Sequence, residues 1–138
     1  MLNRLRKKEK GQALVEFALV LPLLIGLVCG IIDYGWLFYN YLSLQNACRE
    51  GARKACVISS SDSYEDIVTE KVKQNLPLAQ QDELNVTVEY TESNRVDGDV
   101  VVTAEAHVYF LTPVLGTVYK EENGGKVIKS TLVMKVES

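Results

Sequence analysis

Cysteine, proline, histidine and tryptophan are all scarce in this 138-residue chain, which has three Cys, three Pro, one His and one Trp. Three cysteines are too few for a disulfide scaffold, and the average composition excludes a collagen or a disordered tail. The single histidine, His107, has no second ligand at a recognised spacing, so we predict no metal site, no cofactor and no catalytic residue. A net charge of −3 argues against nucleic acid as a partner.

Charge is divided unevenly along the chain. Residues 1–10 carry five basic side chains and one acidic one, which leaves residues 11–138 with a net charge of −7. Between Glu16 and Asp33 lie sixteen uncharged residues, FALVLPLLIGLVCGII. As a helix they would span ~24 Å at ~1.5 Å per residue, a little less than a hydrocarbon core of ~30 Å. This run predicts one membrane-spanning helix.

Aromatic residues follow the apolar run at once, as they do where a helix leaves a bilayer. They are Tyr34, Trp36, Phe38, Tyr39 and Tyr41. A cleaved secretory signal would need small residues at the end of the apolar run, where an aspartate and these aromatics stand instead. We therefore predict a single-pass protein of the cytoplasmic membrane, with a cytoplasmic N-terminus and an extracytoplasmic C-terminal domain.

Small and apolar residues continue the helical pattern beyond the membrane. Residues 36–57 contain no proline, and the following residues recur at steps of three and four: Leu37, Tyr41, Leu44, Cys48, Ala52 and Ala55. This pattern predicts a stem helix that prolongs the membrane helix. Residues with small side chains suit close helix packing between subunits: Gly26, Gly30, Ala47, Gly51 and Ala55. The alternative for residues 47–56 is packing beneath the protein's own sheet.

The C-terminal part has the pattern of an α+β domain. A helix is predicted at about 63–76, and alternating apolar residues predict strands at 84–90, 100–110 and about 126–137. The simplest assembly is a three-stranded antiparallel sheet packed on the stem. The predicted organisation is thus a basic leader at 1–11, a transmembrane helix at 12–35, a stem helix at 36–58 and an α+β domain at 59–138.

The N-terminal motif resembles a known processing site. Residues 11–17, Gly-Gln-Ala-Leu-Val-Glu-Phe, follow a basic leader and precede the apolar run. This resembles a prepilin site of the tight-adherence (Flp) type, cut after Gly11 so that Gln12 becomes the first residue, Glu16 the fifth and Phe17 the sixth. Together with Asp33-Tyr34-Gly35 and the block that contains Arg49, Glu50, Gly51 and Arg53, the chain resembles the TadE-like family.

The resemblance implies a pilin-like fold and a role as a minor pseudopilin in assembly of a tight-adherence (type IVb, Flp) pilus or a related secretion filament. Its partners would be other pilins or pseudopilins, the pilus assembly platform, a prepilin peptidase and membrane lipid. Glu16 would neutralise the new amine of Gln12 in the same or a neighbouring subunit. The alternative for Glu16 is that its carboxylate only extends (snorkels) to the lipid headgroups. The alternatives are an uncleaved membrane-anchored pilus assembly factor and an anchored surface binding module.

Overall fold

One long helix, one short helix and a three-stranded sheet make up the part of the chain that a computed structural model describes. The structure describes residues 2–58, 63–77, 83–91, 98–113, 116 and 125–136, with side chains from residue 11 onward. The elements are α1 (Leu2–Val57), α2 (Tyr64–Gln74), β1 (Leu84–Tyr90), β2 (Gly98–Tyr109) and β3 (Gly125–Val136). This confirms the predicted α+β fold. We call α2 and the sheet together the head.

The long helix α1 is unbroken over 56 residues and passes through Pro22 without ending. Proline removes one backbone hydrogen bond from a helix, a loss that a helix in apolar surroundings tolerates better than one in water. The predicted membrane helix and stem are therefore one continuous rod in the structure. Its two halves differ in environment, because among the residues of α1 whose side chains are described (11–57) only those from Asp33 onward are buried.

A buried stripe on the upper half of α1 carries the head. Its members recur at steps of four and three, which places them on one face of the helix, and all are buried except Leu37, which is half-buried: Asp33, Leu37, Asn40, Leu44, Ala47, Gly51 and Ala55. The sequence pattern included Tyr41, which is 39% exposed. Asn40 occupies the buried position instead and donates its side-chain amide to the Trp36 carbonyl at 2.7 Å. A hydrogen bond to its own helix thus lets a polar residue take an apolar position.

The sheet has the order β1-β2-β3 with both pairs antiparallel. Val102 at the centre of β2 lies opposite Val88 of β1 and Leu132 of β3. Successive side chains of a strand point to opposite faces, and the inner face of β2 is fully covered at Val100, Val102, Ala104 and Ala106. The alternation predicted from the sequence is confirmed, and the inner face of the sheet packs on α1.

Small residues on α1 let the head approach closely. A Cβ atom built on Gly51 would lie 2.5 Å from Val72 Cγ2 and 3.5 Å from Val68 Cγ1, both in α2. Ala47 and Ala55 are wholly buried in the same core. The assignment of Ala47, Gly51 and Ala55 to packing against another subunit is thereby corrected, because the chain's own head covers them. Of the two alternatives, packing beneath the protein's own sheet is the one that the structure has.

Cys48 lies beneath the sheet as a buried thiol. Its Sγ donates to the Val102 carbonyl at 3.2 Å and lies 3.7 Å from the Ser130 carbonyl oxygen. Burial raises the pKa of this thiol because the thiolate would lose its hydration. Cys48 and Cys56 do not form a disulfide with each other, because eight residues along one helix separate them by ~12 Å, beyond the ~7 Å that a disulfide can bridge.

Candidate assembly site on the long helix

The lower half of α1 is a bare apolar surface. Residues 11–32 include no buried residue, and exposed large side chains follow one another from Leu14 to Ile32. This part of the helix is long and apolar enough to cross a membrane, and none of its most apolar window is buried inside the protein. Water alone is a poor environment for a patch of this size. The surface is therefore more stable against lipid or another apolar surface than in water.

The predicted processing motif lies at the N-terminal end of this surface. Gly11, Gln12, Glu16 and Phe17 are all exposed, and Phe17 shows 60% of its surface. Gln12 Nε2 donates to Glu16 Oε1 at 3.3 Å, one helical turn away. A Cβ atom on Gly11 would meet no atom within 4 Å. The structure thus brings Gln12 and Glu16 together on one face and leaves both exposed.

Gly26 and Gly30 form a second open feature. A Cβ atom at either position would have nothing within 4 Å, in contrast to the crowded Gly51. Two glycines one turn apart allow the backbone of another helix to approach closely. Of the five small residues that the sequence assigned to subunit packing, only these two remain uncovered by the chain itself.

Asp33 ends the apolar segment and is fully buried. Its Oδ1 accepts the backbone N–H groups of Leu111 at 3.0 Å and of Thr112 at 2.9 Å. Its Oδ2 accepts a short hydrogen bond from the Thr112 hydroxyl. A buried carboxylate is costly unless it is hydrogen-bonded, and three donors satisfy this one. We call this arrangement the Asp33 clamp, and it ties the chain that follows β2 to the point where α1 leaves the apolar segment.

The sequence singled out Asp33 only as part of the family block and as the end of the apolar run. Its structural role went unpredicted because its partners lie 78 and 79 residues further along the chain. One local signal was available, since Asp33 lies one and two turns before Leu37 and Asn40 on the buried stripe. A carboxylate on the buried face of a helix requires donors from elsewhere in the fold.

The charged residues of the family block point away from the sheet. Arg49, Glu50 and Arg53 are exposed on α1, while Gly51 between them is buried against α2. A shallow groove of about 360 Å³ separates this edge from α2 and includes Lys71 in its lining. The block therefore combines one packing residue with a solvated, mainly basic edge.

His107 lies on the outer face of the sheet, away from the apolar helix. Its Nδ1 is 3.6 Å from Glu83 Oε2, and Tyr109 donates its hydroxyl to Glu83 Oε1 at 2.8 Å. That hydrogen bond raises the pKa of the Tyr109 phenol. Within the part of the chain that the structure describes, no group of three or more His, Cys, Asp or Glu side chains could hold a metal ion.

Comparison with known protein families shows that the N-terminal part of the chain, which includes the predicted cleavage site and the Asp33 clamp's carboxylate, is similar to other proteins. The family model described as TadE-like protein matches residues 11–53, from the predicted cleavage site to the last arginine of the family block. This confirms the resemblance predicted from the sequence, over about a third of the chain. The match suggests a protein associated with tight-adherence pili. No curated protein and no solved structure matches the chain.

Proposed function

We propose that this chain is a minor pseudopilin that takes part in assembly of a tight-adherence (type IVb, Flp) pilus or a related secretion filament. One observation carries the proposal: within α1, the apolar segment that its own chain leaves uncovered starts at the exposed residues Gly11 and Gln12, with Glu16 one turn beyond. The family match over residues 11–53 supports it. The chain catalyses no reaction and serves as a substrate of the prepilin peptidase.

Cleavage after Gly11 would remove the basic leader and create a charged amine on Gln12. Since Gln12 and Glu16 share a helix face, the amine would form within one turn of a carboxylate. An unpaired charge among apolar helices is costly. Pairing the amine with Glu16 of the same or a neighbouring subunit offsets that cost and sets the position of one helix against the next.

Before assembly the subunit would wait in the cytoplasmic membrane, with the basic leader in the cytoplasm and the head outside. Its partners there would be the peptidase, membrane lipid and the pilus assembly platform. Other pilins or pseudopilins would then replace lipid along the lower half of α1. The exposed pair Gly26 and Gly30 offers such a helix a place of close approach.

Processing is tested by intact mass and N-terminal sequence of the protein from its native membranes. We expect the chain to start at Gln12. A Gly11→Leu variant should keep its leader without misfolding, because residue 11 is exposed and a Cβ atom there meets nothing within 4 Å. Gly35→Leu is the matched control, since a Cβ atom there is equally free of contacts. A native start at Met1 with the peptidase active would favour an uncleaved anchor and contradict the proposal.

The role of Glu16 is tested by Glu16→Gln, which keeps the shape of the side chain and removes its charge. We expect normal membrane insertion and at least a ~10-fold loss of the subunit from sheared filaments, as an amine left unpaired among apolar helices would produce. Glu50→Gln makes the same charge change at an exposed site of the same helix and should assemble normally. Equal recovery of the two variants would refute the carboxylate's role.

A further inference from the structure

The shallow groove between α1 and α2 is basic. Two helices alone supply its lining, which is Glu50, Arg53, Lys54, Val57 and Lys71. Three of these five side chains are cationic, and none of the three forms an ion pair with another residue that the structure describes. Val57 is 75% exposed beside them. We call this surface the basic groove, and it offers an acidic protein surface both opposite charge and an apolar contact.

The basic groove lies on the opposite side of the molecule from the outer face of the sheet. On α1, Cys48 faces the sheet, because its Sγ lies 3.2 Å from the Val102 carbonyl oxygen. Val57 follows nine residues later, which is about two and a half helical turns, so its side chain points away from the sheet. Side chains on the outer face of the sheet point in the other direction, away from α1.

Glu89 marks an acidic patch on that outer face. It is exposed in β1 opposite Val101 of β2, and Val101 in turn lies opposite Val133 of β3. Val133 is 56% exposed, so an apolar strip across the sheet ends at a carboxylate that no described cation pairs with. The exposed Asp99 lies two residues from Val101 on the same face, where Lys135 opposes it. We call Glu89, Asp99, Val101 and Val133 the acidic patch, in which Glu89 is the carboxylate without an opposing lysine.

The two surfaces lie at the same height on the rod. At the lower end of the acidic patch, the Val102 carbonyl accepts the Cys48 thiol. At its upper end, the Lys135 carbonyl accepts the Cys56 thiol at 3.6 Å. The patch thus spans the same part of α1 that lines the basic groove, residues 50–57. The Asp33 clamp fixes this height in every copy of the chain.

The position of the groove selects a protein surface, and not lipid, as its occupant. Glu50 lies 17 residues beyond Asp33, or ~25 Å along the helix, so the groove stands above the headgroups if α1 crosses a bilayer as proposed above. Residues 11–138 carry a net charge of −7, and copies of such a chain repel one another in most orientations. The orientation that brings the basic groove to an acidic patch is therefore favoured over the others.

We propose that the basic groove of one copy binds the acidic patch of a second copy of this chain, with Glu89 of the second copy in the groove and its Val133 against Val57. The inference rests on the membrane placement in the proposed function, which holds both copies at one height. One helix layer and one sheet layer of ~10 Å each would separate the two rods by ~20 Å, which leaves the lower half of α1 open to other helices. Because the two surfaces differ, the contact repeats as an open row of copies.

The test is cross-linking with a carbodiimide, which joins a lysine amine to a carboxylate in direct contact. The full chain, half of it labelled with heavy nitrogen, is reconstituted in phosphatidylcholine vesicles, because exposed ion pairs are weak and confinement raises the effective concentration. We expect an amide between Lys54 and Glu89 that joins a labelled to an unlabelled chain. Lys129 and Glu105, with Nζ and Oε1 2.8 Å apart, should be linked within single chains and report that the head is folded.

Charge reversal tests which surfaces meet. Arg53→Glu should lower the yield of the interchain link about fivefold, because one exposed ion pair changes an equilibrium by up to about this factor. Lys73→Glu makes the same charge change at an exposed site of α2 and should leave the yield unchanged. A mixture of Arg53→Glu chains with Glu89→Lys chains should restore the contact, as a new amide between positions 53 and 89.

The outcomes separate this proposal from the proposed function. Chains that insert but give no interchain link would overturn the contact alone. A yield that falls equally in Arg53→Glu and Lys73→Glu would mean diffuse attraction and overturn it too. Interchain links from Lys54 only to carboxylates outside the acidic patch would assign a different orientation of the copies, against the proposal. Chains that fail to insert would contradict the membrane placement, and with it both proposals.

Discussion

The Asp33 clamp gives the sharpest prediction about stability. In Asp33→Ala, the two backbone N–H groups of Leu111 and Thr112 lose their acceptor, and the Thr112 hydroxyl loses its partner. A fully buried donor left unpaired costs about 1–3 kcal/mol, and each of these three hydrogen bonds is part-buried, so its loss lies toward the lower end of that range. Removal of the buried charge returns part of that sum, because the folded protein no longer desolvates a carboxylate. We expect a net loss of about 3 kcal/mol from the free energy that holds the segment at Leu111 and Thr112 to α1.

The variant Asp33→Asn separates the charge from the shape. Its amide oxygen can accept the same two N–H groups, and its amino group can donate to the Thr112 hydroxyl, which then acts as the acceptor. Charge-assisted hydrogen bonds are roughly twice as strong as neutral ones, so we expect a smaller loss of about 1 kcal/mol. Asp99→Ala removes an exposed carboxylate of β2 and should change the stability by less than about 0.5 kcal/mol.

Hydrogen exchange of the Leu111 and Thr112 amides measures the clamp directly. Since about 1.4 kcal/mol is a tenfold change in an equilibrium constant, exchange at both amides should accelerate ~100-fold in Asp33→Ala and less than tenfold in Asp33→Asn. Amides at the centre of β2 should be affected less. The reasoning is refuted if the two amides exchange at the native rate in Asp33→Ala, or if Asp99→Ala accelerates them equally.

Two further predictions concern the core beneath the sheet. Gly51→Ala should lower the free energy of unfolding by about 1–3 kcal/mol, because its Cβ atom would lie 2.5 Å from Val72 Cγ2. The control Gly35→Ala should not lower it, because a Cβ atom at that position meets no atom within 4 Å. Denaturant titrations of the two variants in parallel would show the difference. Cys48 should react with a maleimide far more slowly than the half-buried Cys56, since burial raises its pKa. The pKa of Cys48 is higher in the folded than in the unfolded protein. Its contribution to stability is therefore complete below the ordinary pKa of a thiol and is lost as pH rises through the raised pKa. A decline in stability at alkaline pH that persists unchanged in Cys48→Ala would contradict the attribution of that decline to Cys48.

The elements that could be predicted from the sequence are those with a solvated face. In β1, Leu84, Val86 and Val88 alternate with polar residues because one face of the sheet meets water, and this period is visible locally. The stem likewise shows small and apolar residues at helical spacing. The position of Asn40 was missed, because its hydrogen bond to the Trp36 carbonyl leaves no trace in a pattern of apolar residues.

The features that could not be predicted depend on contacts between distant parts of the chain. Gly30 and Gly51 have the same local pattern, a small residue four positions from another. α2 covers Gly51, whereas nothing in the described chain approaches Gly30. The Asp33 clamp joins residues 78 and 79 positions apart, and neither partner has an unusual neighbour in sequence. Only the folded structure distinguishes a glycine that packs against another element, such as Gly51, from an exposed one, such as Gly30. The same holds for a buried carboxylate and a solvated one.

The buried stripe of α1 also restricts how two rods can lie side by side. Steps of four and three lead from Gly26 through Gly30 to Asp33 and Leu37, so the open glycines lie on the side of the rod that bears the head, apart from a drift of ~20° per seven residues. A neighbouring helix that packed on the glycines and ran upward in parallel would meet the sheet. Identical subunits joined through this face must therefore be displaced along the rod axis or cross at an angle. Repetition of the displaced contact gives a polar, open-ended series of subunits, whereas a crossed pair can close about a twofold axis.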